Sequence, residues 1–162
     1  ISAVKGLLAT AMGESEINWV NALPIARERG ITIEEAALSQ VEDYTSLVTV
    51  RIRTDKETRS VSGTILSRQN PRFVRIDDLS VDIIPAGHLI VFTNIDRPGV
   101  VGFVGTILGE NQINIAEFQV GRRNVGGEAV SILNVDSPVP ESVISKIKDF
   151  PGITKVFVVD LK

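Results

Sequence analysis

The spacing of hydrophobic residues changes repeatedly along the second half of the chain, and the order of these changes most constrains the fold. Period-two and period-3.6 patterns alternate there as strand, helix, strand, strand, helix, strand. Right-handed crossovers would place both helices on one face of a four-stranded antiparallel sheet and leave the other face open. Proline, which lacks an N–H, stands at the predicted first turn of each helix, at Pro98 and Pro140. The predicted strands are 88–94, 112–121, 128–135 and 153–160, and the predicted helices are 98–109 and 140–149.

The hydrophobic pattern of the first half of the chain predicts two helices followed by an antiparallel four-strand meander. Apolar residues three and four positions apart indicate helices over 1–12 and 16–29, and Pro24 places the start of the second near Asn21. Asn70-Pro71 predicts a turn. The predicted meander strands are 47–53 and 58–66, joined at Asp55-Lys56, and 73–76 and 81–84, joined at Asp77-Asp78.

Pro85-Ala86-Gly87 separates these two patterns, so we predict domains over 1–85 and 86–162. The fold class is α+β: two helices plus an antiparallel meander, followed by a ferredoxin-like βαββαβ unit. A small unit with a bare sheet face or open edge strands would be stabilised by forming a homo-oligomer.

Composition and charge narrow the function. The 162 residues are 43% hydrophobic and carry a formal net charge of −3, with basic and acidic residues nearly balanced in each half. We therefore expect no nucleic-acid partner. No apolar run approaches the roughly 20 residues that span a bilayer, so we expect no membrane partner. Cysteine is absent, which suits a cytoplasmic location.

The residue inventory also argues against catalysis. His88 is the single histidine, and no nearby residue in the sequence offers it a partner for proton transfer. Without cysteine or clustered carboxylates, we predict no catalytic residue and no metal ligand. The chain opens at Ile1 directly into an apolar helical pattern without Met, which predicts a fragment of a longer protein.

The segment from Asn94 to Gly102 is the strongest candidate site. It joins a predicted strand to a predicted helix, where unpaired backbone amides and the helix dipole favour an anion. Gly99 permits close approach to the backbone, and Asp96 offers a carboxylate to an ammonium group. Such a pair suits an amino-acid zwitterion. Spacing alone favours the alternative that Asp96 caps the helix and Gly99 eases the turn, because capping is common.

The whole stretch from His88 to Lys162 resembles the ACT domain, a regulatory amino-acid-binding module. Its Asn-x-Asp-x-Pro-Gly-Val loop and the following Gly-Glu-Asn-Gln-Ile-Asn-Ile-Ala are similar to the serine-binding ACT domain of the D-3-phosphoglycerate dehydrogenase family. The resemblance implies an effector site between two ACT domains. It assigns side-chain contacts to Asn94, Asp96 and Asn114, and backbone contacts to the Pro98, Gly99 and Val100 turn. An alternative for Asn114 is a strand-end asparagine bonded to a loop.

The first half resembles the later portion of the intervening domain of long phosphoglycerate dehydrogenases, also called the allosteric substrate-binding domain. The similar segments are Asn18 to Ala22, Ala26 to Ile31 and Tyr44 to Val50. In that family basic residues near the last strands hold phosphate-bearing effectors, and Arg72 occupies one such position. We expect Arg51, Arg53 and Arg75 to be solvent-facing charges balanced by Asp55, Glu57 and Asp77.

Together the resemblances imply a regulatory fragment that binds L-serine, or another small amino acid, and is not itself an enzyme. The parent would oxidise 3-phosphoglycerate with NAD, a cofactor that this fragment would not hold. One alternative is part of the β subunit of an iron–sulfur L-serine dehydratase. Another is a free-standing amino-acid sensor.

Overall fold

The computed structural model describes residues 1–37, 44–67 and 69–161, which divide into two compact units, Ile1–Glu42 and Asp43–Lys162. The first unit contains helices α1 (Ser2–Met12) and α2 (Ala22–Glu28). Asn21 precedes α2, as the position of Pro24 predicted. Leu8, Ile17, Ala22 and Ala26 form the core of this unit.

The second unit contains two four-stranded antiparallel sheets. The first is the predicted meander, in the order β1-β2-β3-β4. Its strands are β1 (Val48–Arg53), β2 (Thr58–Leu66), β3 (Asn70–Ile76) and β4 (Leu79–Ile83). The predicted turn at Asn70-Pro71 is wrong, because both residues lie in β3 and pair with β2. The chain reverses earlier, after Ser67, whose φ of 49° is left-handed.

The second sheet belongs to the predicted βαββαβ unit and has the order β6-β7-β5-β8. This confirms the α+β fold class. The proline positions differ slightly from expectation, since Pro98 lies two residues before its helix and Pro140 one residue before. The elements are β5 (Gly87–Ile95), α3 (Val100–Glu110), β6 (Ile115–Arg122), β7 (Glu128–Val135), α4 (Glu141–Lys148) and β8 (Ile153–Leu161).

Strand β5 is packed on both of its faces. Ile90 and Phe92 lie in a core with α3 and α4. Leu89, from the alternate face, lies in a second core with residues of β3, β4 and β7. The expectation that this face of the sheet is open is therefore wrong, because meander residues such as Ile83 cover part of it. The predicted boundary between residues 85 and 86 falls within this unit, between β4 and β5.

The meander approaches the second sheet closely at Gly121. A Cβ atom at Gly121 would lie 2.5 Å from the Ser80 carbonyl oxygen and 2.9 Å from Val81 Cγ1. Both of these atoms belong to β4, and Gly121 belongs to β6. Glycine therefore permits β4 to pack directly on β6. Among the described residues, no helix is long and apolar enough to cross a membrane.

We predict that Gly121→Ala destabilises the protein by about 1–3 kcal/mol, since the added methyl forces β4 away from β6. Gly109→Ala is the matched control, because no atom lies within 4 Å of the added Cβ on α3. The control should stabilise by about 0.5–1 kcal/mol through helix propensity. Urea unfolding measures both, and equal stability of the two variants would contradict the close packing at Gly121.

Candidate functional site

The loop between β5 and α3 presents the first turn of a helix. Gly99 has a φ of 98°, in the left-handed region that glycine adopts without strain, and it precedes α3 directly. The amides of the first helical turn, beginning at Val100, have no carbonyl partner within the helix. No side chain caps α3, so the alternative role of Asp96 as a helix cap is wrong.

Asp96 is instead held by the β6–β7 hairpin. Arg122 Nη1 donates to Asp96 Oδ2 over 2.5 Å, and the Gly126 amide donates to the same oxygen over 3.5 Å. The Asp96 amide donates to the Gly127 carbonyl over 2.8 Å. The hydrogen bond from Arg122, with a smaller contribution from Gly126, lowers the pKa of Asp96 below its ordinary value, against the opposing effect of burial. Asp96 is therefore an ionised carboxylate at neutral pH.

Asn94 lies at the end of β5 and is buried, with 5% of its surface exposed. Its Nδ2 donates to the Ile95 carbonyl over 2.9 Å, and its Oδ1 accepts from Ser131 Oγ over 3.2 Å. Both ends of the Asn94 amide are thus used inside the protein. This side chain fixes the start of the loop.

Arg97 attaches the same loop to the turn between α4 and β8. Its guanidinium lies 4.9 Å from the centroid of the Phe150 ring, a cation–π distance. The Ile95 amide donates to the Gly152 carbonyl over 3.0 Å. The loop is therefore held from both sides, by the β6–β7 hairpin and by the α4–β8 turn.

Asn114 lies at the opposite end of the sheet from Asp96. The β5–β7 register pairs Ile95 with Glu128 at one end and His88 with Val135 at the other. Seven residues at about 3.3 Å each separate these ends by roughly 23 Å. Asn114 Nδ2 donates to Asp136 Oδ2 over 2.6 Å, in the segment that follows β7. Within one chain, Asn114 does not join the loop residues.

Arg72 lies among acidic side chains. Its Nε is 3.7 Å from Asp82 Oδ1, and its Nη1 is 3.7 Å from Glu117 Oε1. A phosphate-bearing effector would compete with both carboxylates for this guanidinium. Anion binding at Arg72 stays a prediction.

Several partners could not be found from sequence spacing. His88 does have an acidic neighbour, because Nδ1 lies 2.6 Å from Asp160 Oδ1 on the paired strand β8. Arg122 and Ser131 are likewise 26 and 37 residues from the side chains they bind. Strand register brings them together, and no local motif marks them. Among the described residues, no three His, Asp or Glu side chains cluster as a metal site.

Comparisons with known protein families match both halves of the chain. The D-3-phosphoglycerate dehydrogenase intervening domain matches residues 1–77. The ACT domain matches residues 88–152, from the start of β5 to the turn before β8.

Similar curated proteins are D-3-phosphoglycerate dehydrogenases. The protein of Methanocaldococcus jannaschii is 42% identical over 158 residues, which is 98% of this chain and 30% of the relative. That of Archaeoglobus fulgidus is 39% identical over 98% of this chain and 30% of the relative. That of Bacillus subtilis is 37% identical over 91% of this chain and 28% of the relative. The chain thus spans about 30% of the length of these relatives. The chain thus joins a region similar to the D-3-phosphoglycerate dehydrogenase intervening domain to a region that matches the ACT domain.

Proposed function

We propose that this chain is a regulatory region of a D-3-phosphoglycerate dehydrogenase whose ACT domain binds L-serine for feedback control. The observation that carries the proposal is the pairing of helix-terminal amides with an ionised carboxylate in one loop. The amides follow Gly99, and the carboxylate is Asp96. These groups complement the two ends of an amino-acid zwitterion.

Each end of the ligand has a suitable receptor. The ligand carboxylate accepts hydrogen bonds from the amides of Gly99 and Val100, where the α3 dipole adds favourable charge. Pro98 has no N–H and shapes the turn. The ligand ammonium donates to Asp96, which it shares with Arg122. A small amino acid such as glycine satisfies the same two receptors, so backbone capture alone does not select serine.

The second half of the site comes from a partner protomer. Strand β6 is an edge of its sheet, and it pairs with β7 alone among the described strands. Two β6 edges related by a twofold axis would pair antiparallel. That arrangement brings Asn114, before the start of β6, towards the partner end where Arg122 holds Asp96. A homodimer would then carry two equivalent sites.

Asn114 is suited to read the ligand side chain. One N–H of its Nδ2 donates to Asp136, and its amide oxygen is suited to accept from the serine hydroxyl or ammonium. Asn94, whose amide is satisfied internally, positions the loop and leaves this recognition to Asn114.

The proposed parent oxidises 3-phosphoglycerate with NAD, and NAD would bind outside the described residues. The glycine run Gly99, Gly102 and Gly105 does not fit a dinucleotide loop, because Gly102 and Gly105 lie inside α3. The match of residues 1–77 to the dehydrogenase intervening domain favours this parent over an L-serine dehydratase subunit or a free-standing sensor.

Isothermal titration of L-serine into the protein tests the proposal. We expect saturable binding that Asp96→Ala and Asn114→Ala each weaken about tenfold or more, since each removes a polar partner of the ligand. Asp55→Ala, on the β1–β2 turn, is the matched control and should bind as the unmodified protein does. Absence of heat with serine, glycine and alanine would contradict the proposal.

The ionisation of Asp96 gives a second prediction. The hydrogen bond from Arg122 holds the Asp96 pKa below its ordinary value, so replacing Arg122 by Gln should raise that pKa. Since the lowered pKa favours the charged form, the stabilisation from this contact is present at neutral pH. It is lost as the pH falls through the lowered pKa.

Carbon-13 NMR titration of the Asp96 carboxyl measures this pKa directly. Arg122→Gln should move the midpoint upwards. The control Arg123→Gln should leave it unchanged, because Arg123 pairs with Asp78 instead. An identical Asp96 midpoint in the Arg122 variant and the unmodified protein would refute the assigned contact.

A further inference from the structure

Arg122 neutralises the carboxylate that the proposed effector site offers to a ligand. It ends β6, and its Nη1 lies 2.5 Å from Asp96 Oδ2, an oxygen that also accepts from the Gly126 amide. In the part of the chain that the structure describes, the other oxygen, Oδ1, accepts no hydrogen bond. A ligand ammonium can therefore bind Oδ1 while Arg122 stays on Oδ2.

The charges around this loop limit the kind of ligand that fits. Asp96 and Arg122 cancel, and the N-terminus of α3 adds a partial positive charge of about half a unit. An amino-acid zwitterion sets its carboxylate on the helix amides and its ammonium on Asp96, which leaves no free carboxylate among these groups. A second cationic group on the ligand would then lie beside the guanidinium of Arg122, whose side chain is 49% exposed. Like charges at this range repel each other.

The neighbouring arginines do not share this position. Successive residues of a strand point to opposite faces, and Gly121 faces β4, so Arg122 points to the other face, where it meets Asp96. Arg123 instead pairs with Asp78, the residue before β4. The guanidinium of Arg97 lies over the Phe150 ring, on the α4–β8 side of the loop. Arg122 is therefore the cation that a ligand on Asp96 meets first.

We propose that Arg122 is a specificity-determining residue, whose guanidinium admits amino acids with an uncharged side chain and rejects those with a cationic one. The inference rests on the proposed function and narrows the class of ligand that the site takes. The amides of Gly99 and Val100 hold the carboxylate of either class equally well. The discrimination therefore comes from the charge of Arg122.

Two ligands of nearly equal size test this selection. They are L-serine and L-2,3-diaminopropionate, in which an amino group replaces the serine hydroxyl. Isothermal titration at a pH of about 6 keeps both amines of the second ligand mostly protonated. We expect L-serine to bind at least about tenfold tighter, and added salt to reduce the difference, because it screens the repulsion.

Three variants isolate the charge of Arg122. Arg122→Gln removes it, so the two affinities should come within about twofold of each other. Arg122→Lys keeps the positive charge and should keep the preference for L-serine. Arg123→Gln is the matched control, because it removes the same charge from the residue that pairs with Asp78. It should also keep the preference.

The outcomes separate this inference from the proposed function. Binding of L-serine with the same preference in Arg122→Gln as in the unmodified protein would overturn the inference alone. So would a preference that Arg122→Lys or Arg123→Gln loses as fully as Arg122→Gln does. Absence of binding of either ligand to the unmodified protein would overturn the proposed function and the inference with it.

Discussion

The packing of β5 on both faces is the constraint on which the rest of the second unit depends. Phe92 faces the helices and Leu89 faces the meander, so this central strand cannot shift without opening two cores. Burying a large apolar side chain contributes about 1.5–3 kcal/mol, and β5 contributes several. The loop that follows β5 therefore starts from a fixed point, and Asn94 bonded to Ser131 extends that rigidity to its first residue.

This fixed loop gives the proposed effector site its regulatory property. Asp96 is bonded to Arg122 at the end of the edge strand β6, so a ligand at Asp96 contacts the element that would meet a second protomer. A ligand that favours the paired state over the separated state shifts the equilibrium by its differential affinity. The same contact keeps Asp96 charged and ready to accept an ammonium group.

Local sequence patterns predicted much of the fold, because the spacing of hydrophobic residues and the choice of turn residues determine secondary structure within a few positions. The bounds of β2 and β7 and the start of α2 near Asn21 agree with those patterns. Contacts set by tertiary packing were not predictable in this way. Nothing in the sequence around Gly121 distinguishes it from another strand glycine, yet it permits the close approach of β4. Arg122 is bonded to Asp96 through a hairpin whose register no single motif encodes.

Mixing two defective variants shows whether the proposed effector site is shared between two protomers. Asp96→Ala and Asn114→Ala proteins are unfolded together, refolded at equal concentration and titrated with L-serine. A shared site predicts that mixed dimers regain one intact site each, so about a quarter of the unmodified binding capacity returns at unmodified affinity. A mixture that binds no better than either variant alone would show that the site is not shared between protomers.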